Sequence, residues 1–179
     1  RHNICNESPA FTDITGDGIP DLVCIRHGAF GYVEPKFDGT AVTFQFTAIT
    51  PNKGLGRFTH GMGIGDVDGD GRNDLLETNG WWRQTETKGQ LFEFHPFRYA
   101  QIGGAQMFAY DFDGDGDNDV ISSQNAHGYG LTWFEQKKSG TKIDFVPHKI
   151  MTDNPADNPF GLAISQMHAL FLTDVDNDG

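Results

Sequence analysis

Asp66-Val67-Asp68-Gly69-Asp70-Gly71-Arg72-Asn73-Asp74 runs directly into Leu75-Leu76-Glu77. Carboxylates at this density repel one another unless a hard cation lies among them. The same spacing occurs at Asp13-x-Thr15-Gly16-Asp17-Gly18-x-x-Asp21 and at Asp111-x-Asp113-Gly114-Asp115-Gly116-x-x-Asp119. It opens once more at Asp174-x-Asp176-Asn177-Asp178-Gly179, where the sequence ends. A repeated calcium loop is therefore the first expectation.

In such a loop the side chains at positions 1, 3 and 5 turn inward. The expected ligands are Asp13, Thr15, Asp17 and Asp21; Asp66, Asp68, Asp70 and Asp74; and Asp111, Asp113, Asp115 and Asp119. Position 7 adds a backbone carbonyl, from Ile19, Arg72 or Asp117. Asp174, Asp176 and Asp178 begin a fourth set. Glycine at position 6 supplies the positive φ that folds the chain round an ion. Oxygen-only donors suit calcium rather than zinc, which takes Cys or His. Thr15 offers a neutral oxygen, so the first loop is expected to be the weakest of the complete ones.

An EF-hand requires an acid at position 12 and an apolar residue near position 8, between helices. Position 12 is Cys24, Glu77 or Ser122, and position 8 is Pro20, Asn73 or Asn118. The segments after the loops, such as Asp119-Val120-Ile121-Ser122, read as strands leaving a hairpin. A β-hairpin calcium loop fits better.

The formal net charge is −12, but it is concentrated. The loops hold three, four, five and three aspartates, 15 of the 25 acidic residues, leaving ten against 13 Lys and Arg. No basic stripe for nucleic acid is present, and no apolar run approaches a membrane span. Arg1 at the start and an interrupted loop at the end suggest an internal or mature segment of a longer protein. Loops of this kind fill at millimolar calcium, which points to an extracellular, periplasmic or cell-surface setting. Cys5 and Cys24 either pair or serve as small buried apolar groups.

Around each loop the chain repeats a pattern of strands. Small or apolar residues precede it: Pro9-Ala10-Phe11, Gly61 to Gly65, Met107 to Tyr110, and Ala169 to Leu172. A strand follows each complete loop, then an aromatic third strand (Phe30 to Val33, Gly80 to Arg83, Leu131 to Phe134). A fourth follows with period-two alternation (Val42 to Phe46, Leu91 to Phe94, Ile143 to Val146). No helix longer than about a turn is expected. The loops start 53, 45 and 63 residues apart. Four strands in about 50 residues is the size of a β-propeller blade. The expected fold is thus all-β, a propeller of four-stranded antiparallel blades. Blades are expected at about 6–50, 58–98 and 104–151, with a fourth beginning at about 166–179. A propeller closes with at least about four blades, so the remaining blades or domains are expected elsewhere in a parent chain.

The loops and the segments before them resemble the FG-GAP and VCBS repeats of bacterial secreted proteins, and the calcium hairpins of the integrin α-subunit propeller. The resemblance covers essentially the whole sequence. It implies that the loop aspartates are calcium ligands and that the propeller is a binding or adhesion platform. The implied partners are a glycan or an extracellular protein, with neither nucleic acid nor membrane insertion. Thr15 and the incomplete fourth loop depart from that pattern.

Six residues before the loops stand Glu7, His60, Ala105 and His168, with Gln106 one place later in the third. If the first strands share an axis, these side chains gather at one mouth, and His127 on a later connection reaches the same rim. Such a set could bind a second metal or act as acid and base in a polysaccharide lyase or hydrolase. Alternatively it caps strands and turns. Trp81, Trp82, Tyr129 and Trp133 are placed between blades in preference to a sugar-stacking role.

Overall fold

The computed structural model describes residues 6–176. Its strands are β1 (Ala10–Thr12), β2 (Asp21–Arg26), β3 (Ala29–Asp38), β4 (Ala41–Ala48), β5 (Met62–Gly65), β6 (Asp74–Glu77), β7 (Gly80–Arg83), β8 (Glu93–Pro96), β9 (Gln106–Tyr110), β10 (Asp119–Ser123), β11 (Leu131–Ser139) and β12 (Lys142–Met151). A single 3-10 turn, Pro155–Asp157, is the only helical element among the described residues. The chain is all-β, as its alternation requires.

β1 to β4 form one antiparallel sheet in sequence order. The other eight strands form a second sheet, ordered β12-β11-β10-β9-β5-β6-β7-β8. That sheet is two more four-stranded meanders joined at their first strands. The join is a short parallel pairing of β5 with β9, Met62 to Gln106 and Gly63 to Met107. A Cβ at Gly63 would lie 2.2 Å from the Met107 carbonyl oxygen, so only glycine lets the two strands approach this closely. A seam of two residue pairs lets the sheet curl, so that its halves face each other.

The hydrophobic cores lie between successive meanders. Ile14, Val23, Ile25, Phe30, Tyr32 and Ile49 of the first meander pack against Met62, Leu75, Trp82 and Phe92 of the second. Val67, Leu76, Trp81 and Tyr99 then pack against Met107, Val120, Phe134 and Phe145 of the third. Neighbours on a strand point to opposite faces. Leu75 and Trp82 therefore enter one core while Leu76 and Trp81 enter the other. This explains why β6 and β7 read as continuous apolar runs instead of alternating ones. Trp133 and Tyr129 depart from the expected packing. Trp133 stacks on His148 at 4.6 Å, and Tyr129 is 44% exposed.

Cys24 is buried on β2, while Cys5 lies outside the described residues. Residues 166–176, expected to open a fourth blade, carry no strand. A strand needs a ladder partner, and no described strand pairs with this segment.

Candidate metal centres

Each acidic loop joins the first and second strands of a meander, and all three fold by the same internal hydrogen bonds. The position-1 carboxylate accepts the backbone N–H groups of positions 4, 5 and 6. Asp13 takes Gly16, Asp17 and Gly18; Asp66 takes Gly69, Asp70 and Gly71; Asp111 takes Gly114, Asp115 and Gly116. At Asp13 these donors, led by Gly18, hold the carboxyl below its ordinary range. The position-5 carboxylate accepts the position-7 N–H, from Ile19, Arg72 or Asp117. Position 9 accepts from position 2: Ile14 to Asp21, Val67 to Asp74 and Phe112 to Asp119. Gly18, Gly71 and Gly116 carry the expected positive φ, 83°, 85° and 93°.

Carboxylate oxygens converge in two of the loops. Asp66, Asp68 and Asp74 bring one oxygen each within 4.8 Å of one another, and so do Asp111, Asp113 and Asp115. These sets differ: the second loop uses positions 1, 3 and 9, the third positions 1, 3 and 5. In the third loop Asp119 is engaged elsewhere, accepting from Trp133 Nε1 at 2.8 Å and the Gln136 N–H at 2.7 Å. In the second it is Asp70 that is engaged, with Arg72 and Arg83 (Nη2 at 2.9 Å). Arg83 Nε also reaches Asp68 at 2.5 Å. In the first loop Thr15 replaces a carboxylate at position 3, and no acidic triad forms there. Asp174 and Asp176 lie in the exposed segment without strands, and Asp178 is outside the described residues.

The donors fit a hard divalent cation. All are oxygens, and Asp74 is fully buried. Desolvation, reinforced by the charges of Asp68 and Asp70, pushes its pKa up to about 7. Desolvation likewise raises Asp21. A cation among the carboxylates relieves both effects at once.

A set of amides that sequence reasoning passed over ties the loops together. Asn73, at position 8 of the second loop, donates through Nδ2 to the Asp13 carbonyl at 2.7 Å. Asn118, at position 8 of the third, donates to the Asp66 carbonyl. Gln84 Nε2 reaches the Ile14 carbonyl at 2.7 Å, and Gln136 Nε2 reaches the Val67 carbonyl at 2.9 Å. Each later repeat thus grips positions 1 and 2 of the loop before it. The backbone N–H groups of Gln84 and Gln136 are held in turn by Asp74 and Asp119. The recurrence of Asn at position 8 was the available signal.

Residues 13–77 match the FG-GAP-like repeat. The matching segment is about a third of the chain. It runs from Asp13, at position 1 of the first loop, to the end of β6, so the FG-GAP match spans two acidic loops and the core between them. No curated protein and no solved structure matches the chain.

Of the side chains expected at a common mouth, Glu7, His60, His127 and His168 lie together, at the end of the strands opposite the acidic loops. His60 precedes β5, and His127 lies between β10 and β11. His168 lies beyond β12, in a segment tied down by Gln166 N–H to the Gly128 carbonyl at 2.7 Å. His60 Nε2 is 3.2 Å from His127 Nε2, and His168 Nε2 is 3.1 Å from His127 Nδ1. Glu7 Oε2 stands 3.9 Å from His60 Nε2. Together with Glu77 they line an open cleft of about 960 Å³. Burial, then the neighbouring His127 and His168, lower the pKa of His60, with Glu7 opposing. Gln106 is on β9 and does not line this cleft.

Proposed function

We propose that the chain is a calcium-stabilised segment of a β-propeller, each four-stranded meander being one blade, within a secreted or cell-surface protein. In this reading it presents a binding or adhesion surface to a glycan or an extracellular protein, and further blades of a parent chain complete the ring. The observation that carries it is the pair of aspartate triads at equivalent hairpins, backed by buried Asp74. Calcium would be held by Asp66, Asp68 and Asp74, and by Asp111, Asp113 and Asp115. There it neutralises the loop and fastens the first two strands of a meander to each other. The excess of acid over base argues against a nucleic-acid partner.

A site at a hundredfold excess of ion over its dissociation constant adds about 2.7 kcal/mol. Two sites then correspond to a melting shift of roughly 10–20 °C for a chain of this size. A thermal melt in millimolar calcium, in chelator and in magnesium tests this. A calcium-specific shift of that order is expected, and coincident melts would end the calcium reading. A glycan array probed in calcium then tests the binding role.

The convergence of His60, His127 and His168 beside Glu7 supports a second reading, a polysaccharide lyase or hydrolase. A neutral imidazole can take a proton from a sugar carbon or water, and an imidazolium can return one to a leaving oxygen. Glu7 is placed to hold His60 in its charged form when the proton arrives. Incubation with acidic and neutral polysaccharides, read by new reducing ends, tests this. Activity unchanged in His127→Ala would exclude these residues.

A further inference from the structure

We propose that His60, His127 and His168 form a binding site for a borderline divalent transition ion of the zinc class, chemically distinct from the oxygen-only loops. Three imidazoles from three distant parts of the chain meet in an open cleft, their ring centroids 4.5, 5.0 and 5.2 Å apart. Nitrogens that share a tetrahedral zinc ion lie about 3.3 Å apart, given Zn–N bonds of about 2.0–2.1 Å. The 3.2 Å between His60 Nε2 and His127 Nε2 is of that size.

The surrounding chain fixes two of the ligands and leaves one adjustable. Gly103, at a φ of 62°, packs against the His60 backbone, with only 3.1 Å between a Cβ there and the His60 carbonyl oxygen. His127 is set by its own N–H, which donates to Asn125 Oδ1 at 3.0 Å. His127 now contacts His60 through Nε2 and His168 through Nδ1. One ion takes one nitrogen from each ring, so His168, exposed at the cleft edge, turns to complete the set. Three nitrogens leave a fourth position for Glu7, water or a ligand oxygen entering from the cleft. Calcium prefers oxygen donors and does not compete for such a site.

The test titrates the full chain with Co²⁺ in excess calcium, which keeps the aspartate loops occupied, and reads the visible absorption of the cobalt. One ion per chain is expected, with bands of a tetrahedral nitrogen site that vanish when Zn²⁺ is added. His127→Ala and His168→Ala alter exposed residues, and a melt in calcium confirms that each variant folds. Each should weaken cobalt binding by about tenfold or more, and the double variant should abolish it. Absence of cobalt bands overturns the proposal. So does affinity unchanged in the double variant, or binding lost in Asp74→Ala and retained without the histidines.

Discussion

The first repeat and the two that follow share a fold but not a chemistry. In the second and third, an asparagine at loop position 8 and a glutamine, Gln84 just after β7 or Gln136 on β11, grip the loop before. At the matching places the first repeat has Pro20 and Pro35, neither with a proton to donate. The first loop also carries Thr15 where the others have Asp68 and Asp113, and it alone forms no acidic triad. The hydrogen-bond scaffold of the loop is thus separable from its ion-binding charge, and both are separable from the grip between repeats. The first loop keeps its shape through Asp13, Asp17 and Asp21.

The largest contrast should come from the buried ninth-position aspartates. Asp74→Ala removes a triad member and a hydrogen-bond acceptor, and should cost about 3 kcal/mol in calcium. Asp21→Ala removes the acceptor without a triad, and about 1 kcal/mol is expected. Denaturant melts in calcium and in chelator separate the two. The difference should shrink in chelator, and equal losses under both conditions would erase the distinction between the loops.

A smaller effect isolates the amides. Gln136→Ala leaves the Val67 and Asn118 carbonyls without their donor and should destabilise by about 1–2 kcal/mol. Pro35→Ala, at the matching place in the first repeat, should stay within about 0.5 kcal/mol. Comparable losses at both sites would show that the amides do not hold the repeats together.

The smallest effect lies at the histidine end. The pKa of His60 is lowered on folding, so the unfolded chain binds its proton more readily. The resulting stability is complete above the ordinary value of 6.5 and is lost as pH falls through the lower, folded value. Without transition ions, melts taken as pH falls from 6.5 to the lower, folded value should drop less steeply in His60→Gln than in the parent chain. Parallel slopes would remove His60 from the acid response.

Local patterns were legible in the sequence because local physics writes them. Aspartate spacing marked the loops, and period-two alternation placed β4 and β12. The mouth set Glu7, His60 and His168 was legible as a fixed offset from each loop; for Glu7 and His60 the short strands β1 and β5 carry that offset into space, while His168 reaches the mouth without a strand. Gln84 and Gln136 were not, although they occupy equivalent places. Two residues separate β6 from β7, while seven separate β10 from β11, so no constant spacing links each glutamine to its loop. Asn73 and Asn118 were visible, but their partners sit 60 and 52 residues away, beyond what a nine-residue pattern describes. The curl of the eight-stranded sheet depends on a seam of two residue pairs, which leaves no mark in hydrophobic periodicity.

Every amide grip points the same way, from a later repeat to an earlier one. During synthesis, which delivers the N-terminal repeat first, each new meander would find its receptor carbonyls already formed and would supply the donors itself. The array therefore has a direction of growth written into its side chains. Pro20 and Pro35 leave the first of these three repeats without such donors of its own.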